Sequence, residues 1–420
     1  MRPSGFHMTL FSIAWAEWCY HVEAGESFVI LIDCSRRKYM NIIVAIDSLK
    51  GSLSSLQAGA AAEAGIRRAI PDAHIAVKPV ADGGEGTVEA LVSGLSGRSV
   101  TIPVTGPLGE TVQATYGILP DHTAVIEMAE AAGLPLVPVE MRNPLNTTTY
   151  GVGEMILHAL DNGCRNFIIG IGGSATNDGG TGMLRALGCR FQKADGTDIA
   201  PGACELSEIT TIDTSKLNPR LAECRISIAC DVTNPLCGAN GASAIFAPQK
   251  GATPSMISEL DAALAHFADV TASTLGRDLR NRPGAGAAGG LGFAFASYLQ
   301  GTLRPGVDIV LDAVLPESEL RAADIVVTGE GRFDGQTAMG KAPIGIARRA
   351  KACGCKVIVL AGSIEHSGVR ATQQNPPLID GVFPILPGAM PLAEAMREDV
   401  AFQNMEFTAE QVFRVIGEFR

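Results

Sequence analysis

What most restricts the fold of this chain is a unit that it repeats. A short β-branched run leads into a loop of glycine and small polar residues, and an alanine-rich helical pattern follows. The clearest instances are NIIVAIDSLKGS from Asn41, NFIIGIGGSATNDGG from Asn166, DIVVTGEGRFDG from Asp324 and KVIVLAGS from Lys356. Their runs IIVAI, FIIGI, IVVTG and VIVLA are apolar on both parities, as in strands covered on both faces, which predicts a parallel sheet with helices on each side. In such sheets ligands bind beyond the carboxyl ends of the strands, where these loops lie. A second pattern interrupts the first. VTIPVTGPLGETVQATYGIL, from Val100 to Leu119, alternates apolar and polar residues around Pro107-Leu108-Gly109 and predicts an antiparallel hairpin. ISIACDVTNPLCG, from Ile226, is a further strand entering a turn-rich loop. The expected class is α/β. A parallel-sheet domain flanked by helices is assembled from discontinuous segments (40–78, 145–195 and 285–420). A second, inserted α/β domain containing antiparallel strands comprises 79–144 and 196–284.

Residues 1–39 stand apart. They hold both tryptophans, Trp15 and Trp18, but only two of the 48 glycines. The apolar stretch FSIAWA is short and no A-x-A site follows, so the segment makes a poor signal peptide. It is expected to be a disordered extension ahead of a start at Met40, with an oligomerisation arm as the alternative. The rest of the composition excludes whole classes. Thirty-three basic residues against 44 acidic leave a net charge of −11, the wrong sign for a protein that neutralises nucleic-acid phosphates. No stretch reaches 18 uninterrupted apolar residues, so no membrane-spanning helix is expected. Ten cysteines without a C-x-x-C pair suit small buried hydrophobes in a reducing cytoplasm.

Glycine fingerprints are weak guides here. Gly170–Ala175 fits G-x-G-x-x-A after a strand, but Gly284–Gly289 fits G-x-G-x-x-G with no strand before it. Gly179, Gly180 and Gly182 would spoil a helix opening at Gly172 by roughly 1 kcal/mol each. The helix should start near Thr181 instead, which disfavours a dinucleotide site. Gly335–Lys341 has P-loop spacing, but Ala342 stands where a Ser or Thr would hold Mg²⁺. The acidic loop residues say more. Asp47 with Lys50, Asp82 with Glu85, Asp178, Asp231, and Glu330 with Asp334 each lie just past an apolar run, beside glycine or a small polar residue. Any one of them alone reads as a cap or turn. Converging on one sheet edge, they suit Mg-nucleotide phosphoryl transfer, with oxygen ligands for the metal and backbone N–H groups for phosphate. No G-x-S-x-G elbow occurs, and His158 and His266 fall in helical patterns, which predicts structural roles for both.

Seven motifs, in this order and spacing, resemble the bacterial glycerate kinases built from two α/β domains: DSLKGSLSS, PVADGGEGT, GIGGSATNDGG, CDVTNPLCG, FAPQKGA, GAGAAGGLG and VVTGEGRFDGQT. The resemblance runs from Met40 to about the C-terminus. It implies ATP- and Mg²⁺-dependent phosphorylation of D-glycerate, usually to 2-phosphoglycerate, with 3-phosphoglycerate as the alternative product. The partners expected are these small molecules, with neither nucleic acid nor membrane, and a homodimer is the oligomer considered. An NAD-dependent hydroxy-acid oxidoreductase and a non-catalytic binding protein are the rival classes. The resemblance assigns no catalytic list, so the roles are inferred from residue chemistry. Asp178 or Asp231 is expected as general base, and Lys50 or Lys341 as the counter-charge to the transferring phosphoryl. Gly172, Gly173, Ser174, Thr176 and Asn177 should bind nucleotide. Asp47, Asn234 and Arg332 should bind substrate, Arg332 through the carboxylate, while Asp82, Glu85 and Asp334 are expected near the metal.

Overall fold

The computed structural model describes residues 39–81, 86–335, 337, 341–373 and 376–418, and the backbone of two short antiparallel strands, His21–Glu23 and Glu26–Phe28. The rest of the leading segment, with its expected disorder, lies outside the described residues. So do Asp82 and Glu85.

Five strands form an all-parallel sheet in the spatial order Gly381–Pro384, Lys356–Ile364, Ile325–Phe333, Asn41–Ile46, His74–Val77. Alternation explains why its central runs are apolar on both parities. Ile42, Val44 and Ile46 meet Ala58, Ala62 and Ile66 of the helix Ser55–Ala69 and Met405 and Phe413 of the helix Glu398–Glu418. Ile43 and Ala45 turn the other way, onto Val310 and Leu311 of the helix Gly306–Val314 and Ile344 and Ala347 of the helix Ala342–Ala352.

The second sheet has six strands in the order Thr302–Arg304, Arg225–Ala229, Asn166–Gly170, Thr123–Glu127, Thr111–Ile118, Arg98–Thr105. Its first four strands are parallel and its last two antiparallel, the Val100–Leu119 hairpin supplying the latter. One face packs Phe167, Ile169 and Ile228 against Met155 and Ile156 and the aromatic group Phe267, Phe293 and Phe295. From the other face, Val125, Ile168 and Ala229 join the core that holds the helix Gly306–Val314. That helix therefore lies in a layer shared by both sheets.

The fold class matches the sequence, but two strands change sheets. The sequence grouped segment 145–195 with the parallel unit, whereas Asn166–Gly170 hydrogen-bonds between Arg225–Ala229 and Thr123–Glu127. The strand Thr302–Arg304, also grouped there, likewise joins the six-stranded sheet, and the helix Ala287–Tyr298 packs in that sheet's core, so all strands between Arg98 and Arg304 belong to it, apart from the small antiparallel pair Arg190–Gln192 and Thr211–Asp213. The reason is physical: an apolar run on both parities reports that both faces are covered, not which strand lies alongside.

The glycines of Gly284–Gly292 serve close approach rather than a ligand. Ala288, Gly289 and Gly290 are all left-handed, and a Cβ on Gly289 would stand 2.1 Å from the carbonyl oxygen of Thr176. One glycine-rich loop is thus seated backbone to backbone on another. Gly289→Ala is expected to cost about 3 kcal/mol or more, from left-handed strain plus overlap. Gly196→Ala, left-handed but with open space around its Cβ, should cost only about 1 kcal/mol. Thermal unfolding of both variants measures the difference, and equal losses would count against the packing argument.

Candidate active site

Loops from the carboxyl ends of the two sheets line three neighbouring cavities. The central one, about 670 Å³, has Asp231 and Arg304 on the six-stranded side, with Lys341 and Arg348 opposite. Asp231 also lines a cavity of about 220 Å³ with Gly172, Gly173, Ser174 and Lys250. Lys341 also lines one of about 460 Å³, where the charged Asp47, Lys50, Glu330 and Arg332 are interleaved with the apolar Leu49, Ile385, Leu392 and Met396. Asp231 and Lys341 are therefore the junctions of the cleft.

Asp231 follows the strand Arg225–Ala229 and is exposed. Its Oδ1 accepts the Gly306 N–H at 2.9 Å, at the N-terminus of the helix Gly306–Val314. Unpaired N–H groups and the helix dipole favour a negative charge there. Arg304 and Arg349 are both held by Asp312. Arg348, exposed, forms no ion pair among the described residues.

Asp178 stands elsewhere. It is wholly buried, and four donors occupy its carboxylate: Thr149 through N–H at 2.9 Å and Oγ1 at 2.8 Å, the Gly180 N–H at 3.0 Å and the Gly182 N–H at 3.2 Å. Burial pushes its carboxyl above the ordinary value, and these hydrogen bonds pull against that. Such a group organises a loop and lines none of the three cavities, against the expectation of a base at Asp178. Thr176 and Asn177, expected at the nucleotide, are also fully buried, and the Asn177 amide donates to Ser243 Oγ at 3.1 Å. Gly172 and Gly173 do lie open at the loop's crest, Gly173 with φ +71°, and Ser174 is just beneath. The helix begins at Thr181, as the glycine spacing predicted.

Lys250 was missed by residue chemistry, although its motif FAPQKGA was noted. It is 1% exposed, and its Nζ donates to Ser174 Oγ at 2.7 Å and to the Thr176 carbonyl at 2.6 Å. Among the described residues no carboxylate pairs with it. Burial brings its pKa down to about 7, with the Asp178 charge opposing. A lysine in a polar loop reads as solvated, and only the fold reveals that Gly251, left-handed, turns the chain so that it points inward.

At the other junction, Glu330 ends the buried stretch of its strand. Thr337 Oγ1 donates to its Oε1 at 2.5 Å and Lys341 Nζ lies 3.9 Å from Oε2. Burial raises the Glu330 carboxyl to about 7, with Asp47 and Asp334 adding to the rise and Lys341 opposing it. Asp334 accepts the Thr337 N–H at 3.1 Å and lies 3.6 Å from Arg332 Nε. Arg332, exposed, also pairs with Glu365 and lines the 460 Å³ cavity rather than the two that Asp231 lines. Asn234 is drawn into loop closure, donating to the Asn240 carbonyl at 2.8 Å. His158 and His266 are structural, held at Tyr116 and at the Ile209 carbonyl. Among the described residues no three carboxylate, imidazole or thiol side chains converge to hold a metal. Mg²⁺ needs only one or two carboxylates beside phosphate oxygens, and Asp47 with Glu330 offers the hard oxygen donors that it takes.

Asp178→Asn should lower stability by about 3 kcal/mol, because an amide N–H₂ would face backbone donors, and calorimetry reads that loss. Lys250→Met has a pH signature. An unfolded lysine holds its proton to about 10.5, while folded Lys250 releases it near 7, so its contribution to stability is present above about 10.5 and lost as pH falls to about 7. The melting temperature of Lys250→Met relative to the parent should therefore rise from about pH 10 to about pH 7 and level off below. A flat difference would show that Lys250 is ordinarily solvated.

Residues 42–417 match the model of the glycerate kinase family. A glycerate kinase of Bacillus subtilis (strain 168) is 52% identical over 374 residues, covering 89% of this chain and 97% of that protein. A glycerate 2-kinase of Escherichia coli (strain K12) is 50% identical over 359 residues, covering 85% and 93%. The solved structure designated glycerate kinase 2 from Salmonella typhimurium LT2 superposes with a TM-score of 0.83 at 48% identity, covering 90% of this chain and 99% of that one. Family, length and architecture agree: the chain belongs to the glycerate kinase family.

Proposed function

We propose that the chain transfers the γ-phosphoryl group of ATP to the 2-hydroxyl of D-glycerate, in the cytoplasm. One observation carries the reading: an exposed carboxylate, Asp231, and a cation, Lys341, face one cleft whose far arm suits a nucleotide. That arm, about 460 Å³, falls in the roughly 300–1,000 Å³ range of cofactor sites and combines apolar with charged side chains in its lining. The apolar side chains would take the base and the charged ones would face the phosphates. The name of the Escherichia coli relative, glycerate 2-kinase, supports the choice of hydroxyl. No described helix is long and apolar enough to cross a membrane, and the eight described cysteines are free, in keeping with a reducing compartment.

In this reading Asp231 accepts the proton of the attacking hydroxyl while held by the Gly306 N–H. The substrate oxygen forms a bond to the γ-phosphorus, the bond to the bridging oxygen breaks, and ADP leaves. Lys341, with Arg348 on the same side of that cavity, neutralises charge on the transferring group. Lys50 also lines the nucleotide arm. Mg²⁺, when bound, would supply charge neutralisation on the phosphates, and Asp47 and Glu330, with Asp334 beside Glu330, would be its oxygen donors.

Release of ADP that depends on D-glycerate, with ³¹P NMR of the product, tests the reading. A phosphomonoester at the 3-position would replace the 2-hydroxyl by the 3-hydroxyl, and no glycerate dependence would overturn the assignment. Asp231→Asn should lower kcat by about 10²–10⁴-fold while KM for glycerate changes little.

A further inference from the structure

The 220 Å³ cavity has a lining that the nucleotide does not explain. Gly172 and Gly173 expose backbone along one wall, Lys250 stands in another, and Asp231 is at the opening onto the main cleft. Left-handed Ala288, a non-glycine residue in a conformation that L side chains rarely adopt, closes the remaining side.

We propose that this cavity binds the carboxylate of the acceptor, with Lys250 as its buried counter-charge and the Gly172–Ser174 loop as its hydrogen-bonding wall. The inference rests on the glycerate reading above and reassigns that loop from nucleotide phosphate to substrate acid. Three observations converge. The volume lies below the roughly 300 Å³ at which sites for larger ligands begin, yet suits a three-carbon acid. As an ammonium, the form that a bound carboxylate favours, Lys250 Nζ has three protons and, among the described residues, two acceptors. One donor is left for a ligand, and a single ammonium matches a monoanion better than a polyphosphate. Finally, a carboxylate at Lys250 places the adjoining carbon's hydroxyl toward Asp231, which borders both cavities. Lys250 is then a specificity-determining residue that separates hydroxy acids from neutral polyols such as glycerol.

Two variants probe the cavity independently. Lys250→Met removes the charge, while Gly172→Val narrows the space at a position where a Cβ meets nothing within 4 Å and φ is not left-handed. Steady-state KM for D-glycerate and ATP is measured for each, with equilibrium titration of D-glycerate and of ADP alongside. Lys250→Met is expected to raise the glycerate KM about 30-fold or more and Gly172→Val about tenfold, with ATP KM and ADP affinity within about threefold. The ratio of glycerate to glycerol turnover should fall with Lys250→Met. A variant that weakens nucleotide as much as glycerate returns the loop to phosphate and overturns the proposal. So does a folded Gly172→Val with unchanged glycerate KM and affinity. Failure of the parent protein to release ADP with glycerate overturns the functional reading instead, and the glycerate titrations still decide whether this cavity binds the acid.

Discussion

The four hydrogen bonds to the Asp178 carboxylate hold together what surrounds the smaller cavity. They bend residues 178–182 back on themselves and tie them to Thr149, at the head of the helix Tyr150–Asp161. With the loop so fixed, the Thr176 carbonyl can receive Lys250, and the backbone of Gly289 can lie against Thr176 and Asn177. A buried anion with saturated acceptors is stable where an unsatisfied one would not be. A buried cation two residues of loop away gains from the same negative charge.

The active-site region thus divides into two electrostatic halves. On the six-stranded side a buried amine and a helix-capped carboxylate meet a small space. On the five-stranded side Glu330, Asp47 and Asp334 crowd together with Lys341 and Arg332 beside them, and burial with the neighbouring negative charges raises the Glu330 carboxyl while Lys341 opposes. The first half suits a small acid. The second suits a metal-bound polyphosphate.

Much of this was legible in the residues themselves. Apolar runs on both parities announced covered strands, the alternation of Val100–Leu119 announced the hairpin, and glycine spacing placed the helix start at Thr181. Asp231 was recognisable because an acid directly after a strand stands at the sheet's carboxyl edge. The rest was illegible for a shared reason: a one-dimensional pattern does not encode which way a loop residue turns. Asp178 and Asp231 look alike in sequence, each an acid in a glycine- or proline-punctuated loop. One folds inward onto backbone N–H groups and the other outward into the cleft. Lys250 and Lys341 differ in the same way. Strand partnership fails similarly, as Asn166–Gly170 shows, because hydrogen-bonded neighbours leave no mark on hydrophobic periodicity.

The helix Gly306–Val314 has a mechanical consequence. Its buried side chains Val307, Ile309, Val310, Leu311 and Val314 share a core with residues of both sheets, and its first N–H holds Asp231. Any rocking of one sheet against the other must drag this rod along and swing the carboxylate with it. The position of Asp231, the proposed proton acceptor, is thereby geared to the width of the cleft.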